Sequence, residues 1–283
     1  MKMQVSRWLA VGSWMFLAVS APLVRGQAAK DAPLFPDKKL EAAVRRYVFE
    51  KRDNDKPLVE ADVVNLSTIE GKGMGIKDLT GLEKCRSLAS LDLSKNQISN
   101  ISALTNLANI QLLALSDNQI EDVSALAGVK ALQYVELSNN KVKSIQALAA
   151  VTNLASVYLA NNQIKDLSPL FQQRRMSSLY ADNNPLTGVK GVGALGTLMT
   201  LSLNGTGVTD VSVLEGLNGL YYLFLEKNKI VEVKALHDML KKDNDGPKRF
   251  APFINIYLSG NPLSEGAKKQ LGAMKEFGAK VHF

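Results

Sequence analysis

Cysteine is almost missing from this chain. Cys85 is the only one in 283 residues, so no intramolecular disulfide can form and the fold must rest on packing. Histidine is as scarce: His237 and His282 are the only two, and neither stands among Cys, Asp or Glu at metal-ligand spacing. There is no Gly-rich phosphate loop, no Ser-centred elbow and no HExxH stretch. The run GKGMG at 71–75 has the glycines, but it lies inside a degenerate repeat. These gaps point away from catalysis, and neither a metal nor a cofactor is expected. Aromatic residues make up only 6% of the chain, so where they gather is informative.

Long apolar runs are missing too, except near the start. Lys2 and Arg7 precede an apolar stretch from Trp8 to Val24, and small residues follow. This reads as a secretory signal peptide over residues 1–26. Gly12, Ser13, Ser20 and Pro22 interrupt the stretch, which argues against a membrane anchor. No later stretch could span a membrane, so no integral membrane segment is expected in the mature chain. Loss of Lys2, Arg7 and Arg25 with the leader would lower the formal net charge from +7 to +4.

What the chain has in abundance is a repeat. LASLDLSKNQIS at residue 88 returns as IQLLALSDNQIE at 110 and as LQYVELSNNKVK at 132. Units begin at Leu66, Leu88, Ile110, Leu132, Leu154, Met176, Leu198, Leu220 and Phe253, numbered here as coils 1 to 9. Every step is 22 residues except the last, which is 33. A period of this size is the mark of a solenoid. Counting the first residue of a unit as offset 0, the apolar offsets are 0, 3, 5, 10, 13, 16 and 19. Offsets 3 and 5 are two apart, as in a short strand with both side chains inward. Offsets 13, 16 and 19 are three apart, which suits a tight helical turn. Cys85 falls in this apolar set, so it reads as a buried filler and not a nucleophile.

Offset 8 breaks the apolar rule in phase with it. It holds Asn96, Asn118, Asn140, Asn162, Asn184, Asn228 and Asn261, with Met74 and Thr206 as exceptions. An amide both donates and accepts, so a stacked row of them can satisfy the backbone of neighbouring coils. At offset 14, Thr80, Ser102, Ser124, Ser168 and Ser212 are expected to cap the helical turns, and Pro169 suits the position after Ser168. Each apolar skeleton becomes core only when the next coil covers it.

The pattern L-x-x-L-x-L-x-x-N-x-I resembles the leucine-rich repeat family, and the 22-residue period is most similar to its bacterial, internalin-like class. The resemblance implies an α/β solenoid: a right-handed superhelix with a parallel concave sheet, short 3-10 or helical convex segments and capped ends. It also implies protein or ligand binding, not catalysis. Cys-rich caps are usual in extracellular animal members, and their absence favours a bacterial source. Coil 6 departs from the pattern, with Ala181 at offset 5, Gln173 at an apolar position just before it, and glycines in GVKGVGALG. Thin packing is expected there.

These readings divide the chain into a leader at 1–26, an N-terminal helical cap at 27–65, nine coils over 66–263 and a C-terminal cap at 264–283. Asp37 is a plausible N-cap for an amphipathic helix carrying Leu40, Ala43, Val44, Tyr47 and Val48 on one face. Eleven extra residues near 237–252 extend the last convex segment, then form a basic loop. In the C-terminal cap, Ala267, Leu271, Met274 and Phe277 share a helix face before Gly278. KVHF then reads as a final edge strand with Val281 and Phe283 inward. Nine strands would make a concave sheet roughly 40 Å long.

Offsets 2, 4, 6 and 7 should line the concave face. They carry six acids (Glu70, Asp92, Asp117, Glu136, Asp182 and Glu226) against three lysines (Lys72, Lys95 and Lys227). This acidic balance argues against nucleic acid. The same offsets gather Tyr134, Tyr158, Tyr180, Tyr222, Phe224 and Tyr257. Cross-strand packing is the plain explanation, but exposed aromatic clusters tend to mark interaction sites. The sequence therefore predicts an exported binding module. Its site is Tyr134, Tyr158, Tyr180, Tyr222, Phe224 and Tyr257 with Glu136, Asp182 and Glu226, and its partner a protein with basic groups. A cell-envelope polysaccharide, or a structural role in the envelope, is the alternative. Sequons at Asn65, Asn100 and Asn204 would matter only in a glycosylating pathway.

Overall fold

The computed structural model of the protein describes residues 32–283, and the leader read from the sequence lies outside them. One parallel sheet runs through the described residues in strict chain order. Its strands are β1 (Thr68–Glu70), β2 (Ser90–Asp92), β3 (Leu112–Ala114), β4 (Tyr134–Glu136), β5 (Ser156–Tyr158), β6 (Ser178–Tyr180), β7 (Thr200–Ser202), β8 (Tyr222–Phe224), β9 (Asn255–Tyr257) and β10 (Lys280–His282). Neighbouring strands pair at identical offsets, as in Leu91 with Leu113 and Leu179 with Leu201. The insertion leaves this register intact, since Leu223 still pairs with Ile256. Ten strands at ~4.8 Å spacing give a sheet about 43 Å long. The middle residue of every strand is buried and faces the core, together with offsets 0, 5, 10, 13, 16 and 19 of the regular coils. Cys85 is fully buried among them, and burial, then the charge of Glu83, pushes its thiol up to about 12.

The offset-8 amides form a ladder broken once, at Thr206. Asn118 accepts the Ile98 N–H at 3.0 Å, and its Nδ2 donates to Leu93 O at 3.0 Å and Leu115 O at 3.1 Å. Asn140 repeats this on Ile120, Leu115 and Leu137. Each of these amides thus joins its own coil to the preceding one: it is the sole partner of one buried N–H and shares each carbonyl with the amide of a neighbouring coil, as Asn118 and Asn140 share Leu115 O. At Thr206 the hydroxyl donates to Leu203 O of its own coil at 2.7 Å and to Asn228 Oδ1 of the next at 3.3 Å, and makes no bond back to coil 6. Asn228 compensates from the next coil by accepting the N–H groups of Thr206, Gly207 and Val208.

The outer turns differ from expectation. Most are 3-10 segments of three to five residues, but Ser102, Ser124, Ser168 and Ser212 do not cap them. They occupy the first turn position. The cap comes from offset 12, two residues earlier: Asp122 accepts both the N–H and the hydroxyl of Ser124, and Asp166 and Asp210 do the same for Ser168 and Ser212. Asp78 serves Thr80 alike. A carboxylate two residues back closes an Asx turn and satisfies both donors, leaving the serine hydroxyl no capping role.

Two helices precede the sheet: α1 (Lys38–Arg45) and α2 (Glu60–Val63). Asp37 caps α1 through Oδ1, accepting from Lys39 N and Leu40 N, while Oδ2 accepts the Lys77 and Asp78 N–H groups. One carboxylate therefore pins the helix to coil 1. Partial burial pushes its pKa up, but these four donors outweigh that and hold it below the ordinary carboxylate value. The insertion forms α3 (Lys234–Asp245) and a loop held by Asp243, which accepts from Arg249, Phe250 and Ala251 N at 3.1, 3.0 and 2.9 Å. Phe250 and Ala251 fill the core ahead of β9. Consequently Ile254 points inward and Phe253, expected at the buried offset 0, is exposed. After α4 (Glu265–Glu276), Val281 of β10 is buried, but Phe283 is 49% exposed and not inward. The strand ends at His282, and among the described residues no further coil covers the next position.

Coil 6 keeps its interior. Ala181 and Gln173 are both buried, with Gln173 Nε2 donating to Leu148 O while its Oε1 has no partner among the described residues. The Phe171 ring lies against Gly191, where a Cβ would come within 2.9 Å of it.

Candidate partner-binding surface

Because strand centres turn inward, offsets 2 and 4 emerge together on the concave face. The aromatic residues found there form two stacks. In the first, the Tyr158 and Tyr180 rings lie 4.8 Å apart and 9° from parallel, with Tyr134 tilted against Tyr158 at 5.2 Å. In the second, Phe224 stacks on Tyr257 at 4.7 Å with Tyr222 beside it at 6.2 Å. His282, which the sequence left as an ordinary polar residue, continues this stack 4.6 Å from Tyr257. Its position at offset 4 of β10 was the available signal. The two stacks are separated by β7, where Ser202 is buried and donates to Asp182 at 2.5 Å. Strand spacing matches the stacking distance of aromatic rings, so successive coils with Tyr at one offset build such a stack unaided.

The predicted acids lie on the same face with different surroundings. Glu136 accepts the Ser138 N–H at 2.7 Å, and Asp182 accepts the Asn204 N–H at 2.7 Å in addition to Ser202. Glu226 remains half-buried beside the second stack. Every ion pair among the described residues lies on a cap, an outer turn or a helix, and none includes a concave acid. The carboxylates of Glu136 and Asp182 are hydrogen-bonded but not neutralised by any cation among the described residues. Burial pushes the phenols of Tyr134 and Tyr158 up, and the charge of Glu136 adds to it in both.

A second row flanks the first stack. Asn183 donates to Asn161, Asn161 to Asn139 and Asn139 to Asp117, at 2.7 to 2.9 Å. All four sit at offset 7 with positive φ, a conformation that Asn and Asp adopt more easily than most residues. Exposed apolar residues escaped the sequence reading: Leu112 beside Tyr134 on the concave face, and Met199, Tyr221 and Phe253 where their coils enter the sheet. A cleft of about 610 Å³ opens elsewhere, between the turn Ser212–Leu214 and α3, lined by Glu215, Met239, Lys242 and Arg249. It marks the step from a thin coil to a thick one and touches neither stack. Among the described residues no cluster of His, Cys, Asp and Glu could hold a metal ion, and no helix is long and apolar enough to cross a membrane.

Comparison with known proteins agrees with this architecture. A family model described as leucine-rich repeats (2 copies) matches residues 108–150 and 130–172, and a single leucine-rich repeat model matches 84–104. A search of curated proteins finds no match. Among solved structures, internalin C2 of Listeria monocytogenes is 26% identical, with 82% of this chain aligned to 94% of that one and a TM-score of 0.69. The ectodomain of the Arabidopsis thaliana receptor kinase GASSHO1/SCHENGEN3, in complex with CASPARIAN STRIP INTEGRITY FACTOR 2, is 18% identical over 72% of this chain and 28% of its own, with a TM-score of 0.54. The plant peptide hormone receptor RGFR1, in complex with RGF2, is 22% identical over 65% and 30%, with a TM-score of 0.53.

Proposed function

Because the chain is a leucine-rich repeat protein of the internalin-like class, we propose that it is an exported, non-catalytic module that holds a protein on its concave face. The observation that carries this reading is the pairing of two half-buried aromatic stacks, with Tyr222 exposed, and carboxylates that no cation among the described residues neutralises. Tyrosine offers broad apolar area with a polar tip and little rotamer entropy to lose, which is why it recurs at binding hot spots. Uncompensated acids favour a partner with basic groups, chiefly through association rate and salt sensitivity. Two plant receptors of the same fold are in complex with the factors named above, a likeness of architecture only. Export rests on the leader-like residues 1–26, and with the family resemblance it gives a bacterial periplasmic or extracellular protein.

Ring orientation favours protein over polysaccharide. A sugar stacks on an open aromatic face, but here Tyr158 and Tyr180 cover one another and present their edges. The polysaccharide reading, and with it a structural role in the envelope, draws instead on the exposed amide row from Asp117 to Asn183. Recovery of a partner from envelope extract, set against a glycan array, separates the two. Replacing Tyr158 and Tyr180 together with Ala should leave folding nearly intact and weaken the recovered partner by about 2 kcal/mol or more, the hot-spot scale. Lys143→Ala and Lys165→Ala, on the outer side, are the controls. Equal binding by the double variant and the controls would remove the concave face from consideration.

A further inference from the structure

The edge along which each coil enters the sheet, its upstream rim, has a different character from the concave face. In coils 2 to 8 the two residues before the first core position and the one after it are all exposed or half-buried, and none is Asp or Glu. The repeat supplies its own control along this row. The residue after the first core position is small or polar in coils 2 to 5: Ala89, Gln111, Gln133 and Ala155. From coil 7 it becomes large and apolar. Met199 is 48% exposed and Tyr221 41%, and Phe253 of coil 9, turned out by the insertion, is 54% exposed. These lie on adjoining coils, since Tyr221 N donates to Met199 O and Asn255 N to Tyr221 O, both at 2.8 Å. Immediately upstream, Arg174 and Arg175 are exposed, and neither forms an ion pair among the described residues. Arg175 reaches only Asn153 Oδ1, at 3.4 Å.

Neither the core nor the sheet requires this composition, because four other coils do without it. Arg, Met, Tyr and Phe, with no carboxylate among them, are the residues enriched at the centres of protein interfaces. Guanidinium groups favour carboxylate partners, which they can grip through paired hydrogen bonds. We propose that the upstream rim of coils 6 to 9 is a second docking surface, for a protein that presents carboxylates beside an apolar patch. Its charge preference is opposite to that of the concave face, so the two surfaces suit different partners or different parts of one. At ~4.8 Å per strand the rim runs about 15 Å from Arg174 to Phe253, long enough for two or three turns of a partner helix.

The test uses the full chain and a fluorescein-labelled octapeptide alternating Glu with Leu and Phe, followed by anisotropy. A Lys counterpart of the peptide and vesicles containing phosphatidylglycerol are the comparisons. The acidic peptide should bind better than the Lys peptide. Met199→Ser/Tyr221→Ser/Phe253→Ser and Arg174→Gln/Arg175→Gln should each weaken it about tenfold or more, the loss expected of hot-spot residues. Circular dichroism should show both variants folded, since every replaced side chain is exposed. Tyr158→Ala/Tyr180→Ala should bind the acidic peptide like wild type, so this surface and the concave one stand or fall separately. Equal binding by wild type and both rim variants, no preference over the Lys peptide, or binding to vesicles alone would overturn the proposal.

Discussion

Coils 2 to 5 and coils 6 to 9 are built on one template and treat it differently. The first group keeps leucine, isoleucine or valine at the core offsets, except for Gln173 at the end of coil 5, with an amide at every offset 8 and a rim of small or polar residues. The second carries Ala181 for leucine, Thr206 for asparagine, the insertion and the outward turn of Phe253. It also holds Tyr180, the second aromatic stack up to Tyr257 and the apolar rim. Apart from Leu112 in coil 3, the exposed large apolar groups of these coils fall in the half that departs from the template. In a repeat protein each regular coil shows what folding alone needs, so a departure in another coil can be weighed against it.

Substitutions in matched pairs sharpen that contrast. The largest effect is expected where neighbouring outer turns touch. A Cβ on Gly128 in coil 3 would fall 1.9 Å from Thr105 O, and one on Gly193 in coil 6 would fall 1.9 Å from Glu215 O. Ala at either site forces the backbone to move and should cost about 3 kcal/mol. Urea midpoints that fell for Gly193→Ala alone would show that the irregular half is the tighter one. Next comes the ladder. Asn140→Ala leaves the buried Ile120 N–H unpaired and takes one of two amide donors from Leu115 O and Leu137 O, and should cost about 2 kcal/mol, whereas Thr206→Ala loses only the hydroxyl contacts to Leu203 O and Asn228 Oδ1 and should cost about 1 kcal/mol. Equal shifts would contradict the account of Asn228 as compensator. The smallest effect belongs to the N-terminal end. Asp37 has a folded pKa below its unfolded one, so its ionised form stabilises the cap above about pH 4. That contribution is lost as pH falls through the folded value. Asp37→Asn should thus be less stable than wild type at pH 7, by under about 1 kcal/mol since Asn still caps, and the gap should narrow as pH falls below about 4.

The solenoid was legible because its signal is redundant. Nine near-copies announce the period, and one buried offset implies the rest, Cys85 included. The amide row could be read for the same reason: a polar residue in phase with apolar ones has few places to go. Local turn chemistry was harder. Ser124 and Asp122 are both standard capping residues, and only the bond geometry shows that the aspartate caps. The outward turn of Phe253 was hidden because an insertion shifts which residue reaches the core, and sequence alone does not say where the shift is absorbed. On the concave face, offsets placed the aromatic rings together. They did not reveal that the rings cover one another, that His282 joins them, or that Asp182 is tied to Ser202 and Asn204.

The bonds that join coils in the amide ladder reach back to the coil before and no further: Asn118, Asn140 and Asn162 each accept from the residue twenty places earlier. A gene segment encoding residues 132–153 could therefore be copied in tandem, and each amide of the longer chain would still find its donor and acceptors. The same holds for a deletion of one whole unit. Fractional changes are penalised, since a unit of any other length puts the amide out of phase, and the 33-residue step survives only by looping its surplus outside the sheet. Inheritance can thus lengthen or shorten this molecule by unequal crossing-over, in quanta of 22 residues and ~4.8 Å of surface. The reach of the concave face is the property most open to rapid evolutionary change.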